Sequence, residues 1–172
     1  MPTHHGAGLV LLCADPRSNS YGKILCVLEK HGRNAGKYSP PGGYTDPNDR
    51  DFIHTAFRET AEETAHGDSD SDAIRRMIEQ LYCFVTVDKM LTKSIQLRSG
   101  LFTGCVYGVI SHNCLFPEDT AHLEKNSECG AYSWLSVDEI RNLYFEGRFR
   151  GSLYHIDLGA HSLAARHYIH LA

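Results

Sequence analysis

The segment Ser39-Pro40-Pro41-Gly42-Gly43 divides the first third of the chain. Proline lacks an amide donor and glycine weakens any regular element, so this run excludes a helix interior or a central strand. Upstream, Gly6 to Ala14 and Lys23 to Glu29 are apolar and strand-like, and the turn-rich stretch Asp15 to Ser20 between them predicts a β-hairpin. Downstream, Asn48 or Asp49 is a plausible N-cap. From about Arg50 to Ala65, Ile53, Ala56, Phe57, Thr60, Ala61 and Thr64 then recur at the spacing of an amphipathic helix.

Further on, Asp72 predicts the start of a second helix running to about Gln80. Leu81 to Val87 and Leu101 to Ile110 read as strands, with Lys89 to Gly100 an irregular connection. Ser127 to Leu135 reads as a strand, and Ser136-Val137-Asp138-Glu139 as a capping box opening a helix to about Phe145. The tail from Arg148 is ambiguous, with helical spacing only over Leu163 to Leu171. The sum is an α/β or α+β domain with a mixed sheet, and a length of 172 residues fits one compact domain spanning 1–172.

A formal charge of -4 gives no electrostatic reason to bind a long nucleic acid and points to a small ligand or a protein partner. The longest clean apolar run, Gly8 to Ala14, is too short to span a membrane. The six cysteines form no C-x-x-C pair and sit mostly in apolar stretches, so buried free thiols and a reducing, cytoplasmic location are expected.

The chemistry concentrates in Arg58-Glu59-Thr60-Ala61-Glu62-Glu63. Spacings of three and four residues crowd Glu59, Glu62 and Glu63 on one helical surface, where ionised carboxylates repel unless a cation intervenes. Oxygen donors without accompanying Cys or His suit Mg²⁺ or Mn²⁺. Taken alone, the same residues also read as a solvated acidic helix face.

Gly42-Gly43, a short loop and a helix carrying a complete R-E-x-x-E-E core together resemble the signature box of the Nudix hydrolases, usually written G-x5-E-x7-R-E-U-x-E-E-x-G-U, over about 23 residues. The resemblance implies an α/β/α sandwich with a mixed β-sheet. It also implies Mg²⁺ (or Mn²⁺) held by Glu59, Glu62 and Glu63, with Arg58 orienting the box. The implied reaction is hydrolysis of a diphosphate bond by water in a nucleotide sugar, nucleoside triphosphate or dinucleotide. A nucleotide-binding module without turnover, and a decapping hydrolase, are the alternatives. Homodimers are common in the family.

The first box Glu is missing: counting from Gly43 puts Asp49 in its place, counting back from Arg58 puts Arg50 there, so the loop is one residue longer and Asp49 or Asp51 is the candidate substitute. Thr60, Ala65 and His66 replace the usual aliphatic, Gly and aliphatic residues. Outside the box, Glu128 is the candidate distal carboxylate, ahead of Glu118 and Glu124. Tyr44, Tyr132 and Trp134 are candidates for stacking a nucleobase, and Lys37, Lys89, Lys93 or Arg98 for meeting phosphates.

Overall fold

The computed structural model describes residues 4–64, 71–116 and 129–172. Its elements run β1 (His4–Cys13), β2 (Ile24–Glu29), β3 (Tyr38–Ser39), β4 (Gly42–Tyr44), α1 (Phe52–Thr64), α2 (Ser71–Phe84), β5 (Val85–Val87), β6 (Lys93–Gln96), β7 (Phe102–Ile110), β8 (Cys129–Leu135), α3 (Val137–Phe145) and α4 (Leu153–His167).

One mixed sheet follows the order β3-β2-β1-β7-β5, with β4 on β1, β6 on β7 and β8 on β2. At its centre β1 and β7 are parallel, Leu9 beside Val106 and Leu11 beside Gly108, whereas β2, β4, β5, β6 and β8 pair antiparallel. A strand covered on both faces must be apolar at successive positions, and β1 is. Ala7, Leu9, Leu11 and Cys13 join a core with Ala56, Phe57 and Ala61 of α1 and Leu81 of α2. Val10 and Leu12 point the other way, into a core with Val137 and Ile140 of α3 and Ile156, Ala160, Leu163 and Ala164 of α4. The result is the expected helix–sheet–helix sandwich, and among the described residues no helix is long and apolar enough to cross a membrane.

Several local expectations change. The Pro-Gly segment does enter the sheet: β4 lies against β1 with Gly42 opposite Gly8 and Gly43 opposite Ala7. It can do so because glycine stands at the close approaches; a Cβ on Gly42 would stand 2.7 Å from the Ala7 carbonyl oxygen. Helix α2 continues through Leu81 to Phe84, because Ile74, Met77, Ile78 and Leu81 form one apolar stripe that packs on the core. Lys93–Gln96 is a strand made by its neighbour, antiparallel to β7. Helix α4 starts ten residues earlier than its readable spacing, at Leu153, with the Ser152 side chain accepting from the His155 N–H. The Ser136/Glu139 capping box of α3 forms as expected.

The far end of α4 is tied to the sheet by Asp88, whose carboxylate is 1% exposed. Arg166 Nε donates to it at 2.6 Å, His167 Nε2 lies at 3.0 Å, and the Met90 and Leu91 N–H groups donate at 3.0 and 3.1 Å. Burial alone would raise its pKa, but hydrogen bonds from Arg166, His167 and the Leu91 N–H outweigh that and hold it at about 2. A folded pKa below the unfolded value of about 3.9 means the group stabilises the fold above pH 4, and that support drains as pH falls from about 4 to about 2. Asp88→Asn should flatten this part of the acid-unfolding profile followed by circular dichroism; profiles that superimpose would refute the assignment.

Candidate functional site

Helix α1 buries Ala56, Phe57 and Ala61 against the sheet, which turns Arg58, Glu59, Glu62 and Glu63 toward β4. Asp51, not Asn48 or Asp49, caps it, accepting from the His54 N–H at 2.8 Å. Thr60 is fully buried, and its hydroxyl donates to the Ala56 carbonyl at 2.7 Å, so this unusual polar residue is satisfied within the helix.

Asp49 is thereby freed for Arg58. Its Oδ1 accepts from Nε at 2.9 Å and its Oδ2 from Nη2 at 3.0 Å, a two-pronged pair with the carboxylate 2% exposed and the guanidinium 16% exposed. Thr55 Oγ1 and the Asp46 N–H also donate to Oδ2, at 2.8 and 2.9 Å. Burial works to raise the Asp49 pKa, yet these donors, Arg58 first, hold it at about 2. The same contacts, led by Asp49, push the Arg58 pKa further up.

The rest of the guanidinium organises the site. Nη2 donates to the Tyr44 carbonyl at 2.7 Å, and Nη1 donates to Glu59 at 2.9 Å and to both oxygens of Glu62 at 3.1 Å. Glu59 and Glu62 thus converge on one cationic position. Glu63 Oε2 accepts from the Gly42 N–H at 3.3 Å. A side chain on Gly43 would displace the Glu59 carboxylate, so glycine there leaves that carboxylate its place beside Arg58.

Three carboxylates beside backbone amides are the donor chemistry of a hard divalent cation. Among the described residues no three such side chains already converge at ligand spacing; Arg58 holds two of them together. Glu63, Gly42, Gly43 and Tyr44 line one end of a cleft of about 710 Å³, a size that accommodates a nucleotide.

This architecture has solved counterparts. A Caenorhabditis elegans Ap4A hydrolase is similar over 93% of this chain and 98% of its own, with a TM-score of 0.58 and 15% identity. A NUDIX hydrolase from Alicyclobacillus acidocaldarius is similar over 92% and 90%, at 0.55 and 16%. The chain has the Nudix hydrolase fold. The NUDIX domain of Shewanella oneidensis NrtR, solved with ADP ribose, shares this Nudix fold over 98% and 89%, at 0.53 and 16%. In sequence, 32 residues are 62% identical to mitochondrial coenzyme A diphosphatase NUDT8 of Mus musculus, a stretch that spans 19% of this chain and 15% of the mouse protein. No protein-family model matches the chain.

On the Nudix fold the sequence-derived residues separate. Arg58, Glu59, Glu62, Glu63, Gly42, Gly43 and Tyr44 come together; the Tyr44 ring is 71% exposed and packs edge-on against His5. Trp134 does not join them: it is 3% exposed, packs on Phe116 and donates from Nε1 to the Phe116 carbonyl at 2.8 Å, so it is a core residue and not a base-stacking one. Tyr132, also 3% exposed, is core as well. Lys37 sits in the turn after β2, its carbonyl accepting from the Glu29 N–H, and is not among the described residues lining the cleft. Glu128, Glu118 and Glu124, like Ala65 and His66, lie outside the described residues.

Sequence reasoning missed the other end of the cleft, where Glu29, Arg150 and His155 stand. A signal was present: Gly151 followed by Ser152, then Ile156, Ala160, Leu163 and Ala164 at helical spacing, announces a helix whose first turn carries His155.

Proposed function

We propose that the chain, as one Nudix domain over residues 1–172, hydrolyses a diphosphate bond in a nucleoside diphosphate derivative with Mg²⁺ or Mn²⁺. The observation that carries this reading is the gathering of Glu59 and Glu62 about the Arg58 guanidinium on the same helix from which Glu63 lines a nucleotide-sized cleft. Two solved proteins of the same fold, an Ap4A hydrolase and a NUDIX domain complexed with ADP ribose, support a nucleotide ligand.

Glu59, Glu62 and Glu63 would hold the cation, which when bound supplies charge neutralisation to the phosphate oxygens and acidifies a water. Arg58 keeps the carboxylates and the Tyr44 carbonyl in register. Gly42 and Gly43 let the diphosphate approach backbone, and Tyr44 flanks it at the cleft mouth. Glu63, the acid of the three that lines the cleft, takes the proton of the attacking water on its carboxylate as the new P–O bond forms and the bridging P–O bond breaks. Five described cysteines are free thiols, which supports a reducing compartment such as the cytoplasm.

The test is hydrolysis of a panel of nucleotide sugars, nucleoside triphosphates and dinucleotides with and without Mg²⁺, in ¹⁸O water, with products identified by mass. Turnover of at least one compound that stops on chelation is expected. Tight nucleotide binding without turnover under any metal condition would replace the hydrolase with a binding module.

A further inference from the structure

The end of the cleft away from the acidic helix has its own chemistry. Glu29 closes β2 with its backbone fixed on both sides, its N–H donating to the Lys37 carbonyl at 3.0 Å and its carbonyl accepting from the Gly36 N–H at 2.8 Å. Arg150, whose N–H donates to the Tyr38 carbonyl at 2.7 Å, places Nη1 2.5 Å from Glu29 Oε1. The two side chains are 56% and 21% exposed, so the pair adds little stability. Its effect is to set the plane of a carboxylate inside a binding cleft. His155 lines the same cleft, its Nδ1 shielded from solvent and without a hydrogen-bond partner among the described residues. Val10 and Ile156 add apolar walls.

A planar group with apolar faces and polar edges fits such a space, and the fixed carboxylate says which edge. An ionised carboxylate only accepts hydrogen bonds. Arg150 donates to Oε1 alone, and the two oxygens of a carboxylate are adjacent acceptors that match two parallel N–H donors. Guanine carries that pair, at N1 and N2. Adenine offers one amino group next to a ring nitrogen whose lone pair would face the carboxylate.

We propose that Glu29, oriented by Arg150 and accompanied by His155, forms a base subsite that selects guanine over adenine. This rests on the proposed hydrolase only in placing the phosphates at the Glu63 end of the cleft.

The test is calorimetric titration of GMP and AMP, neither of which has a diphosphate bond to cleave, into the metal-free full chain. GMP should bind about tenfold more tightly than AMP, the discrimination of one two-pronged contact. Glu29→Gln, which puts an N–H₂ donor where an acceptor stood, should erase the preference at unchanged melting temperature. Arg150→Met, which leaves the carboxylate but unfixes it, should weaken GMP by a smaller factor. Equal binding of the two nucleotides, binding of neither, or a preference that survives in Glu29→Gln overturns the subsite. A chain that selects GMP through Glu29 but cleaves no diphosphate retains the subsite and loses the hydrolase; one that cleaves guanine and adenine compounds alike does the reverse.

Discussion

Asp49→Ala should cost about 2–4 kcal/mol of stability, a large share of the roughly 5–15 kcal/mol that holds a domain folded. The reason is the charge left behind. Arg58 is mostly buried, and without Asp49 it loses both prongs of its strongest contact, while Thr55 and the Asp46 N–H lose their acceptor. The upper end of the usual range for a broken buried pair is not reached, because Glu59, Glu62 and the Tyr44 carbonyl still receive the guanidinium. Urea unfolding of the two proteins measures it, and a difference below about 1 kcal/mol would remove Asp49 from the role. The variant should also lose the part of the acid sensitivity that Asp49 contributes. Its pKa of about 2 lies under the unfolded value of about 3.9, so its support is complete above pH 4 and declines as pH drops toward 2. Asp49→Asn keeps the shape but not the charge and should fall between the two proteins.

For Glu63→Gln the large effect is on rate. If Glu63 binds the cation and takes the water's proton, kcat should fall on the order of 10²–10⁴-fold. Stability should stay within about 0.5 kcal/mol of the parent, since the amide oxygen still accepts from the Gly42 N–H and Gln has nearly the same shape as Glu. Steady-state rates on whichever compound the panel reveals, paired with a melting curve, separate the two effects. An undiminished rate in folded protein would move catalysis away from this carboxylate.

The acidic helix was legible because its period and its charges agree: the residues that pack at Ala56, Phe57 and Ala61 dictate where Glu59, Glu62 and Glu63 must point. The role of Asp49 was only half legible. Spacing named it as a stand-in for the first box Glu, yet an Asp ahead of a helix reads equally as a cap, and only the fold shows Asp51 capping while Asp49 turns to Arg58. Leu81 to Phe84 misled because Tyr and Phe favour strands locally, whereas Leu81 continues a stripe begun at Ile74 and tertiary packing prevails. Trp134 illustrates the limit of residue type as a guide. An indole can stack on a base or fill a core, and its hydrogen bond to the Phe116 carbonyl decides for the core. Glu29 and Arg150 stand far apart in the chain and meet only through the β3 segment and its bridge to Phe149, a pairing that no local pattern encodes.

The parallel seam of β1 and β7 also governs when the molecule can assemble. His4 finds its neighbour Phe102, and Cys13 finds Ile110, only after the whole acidic helix and the segments around it have been synthesised. Closing so long a loop is entropically slow, and topologies dominated by such distant pairings fold in milliseconds to seconds, not microseconds. On the ribosome Leu9 and Leu11 therefore emerge well before the strand that covers their edge. During that interval the nascent β1 is a sticky apolar ribbon, and a chaperone that shields it should raise the yield of folded protein more than one that acts after release.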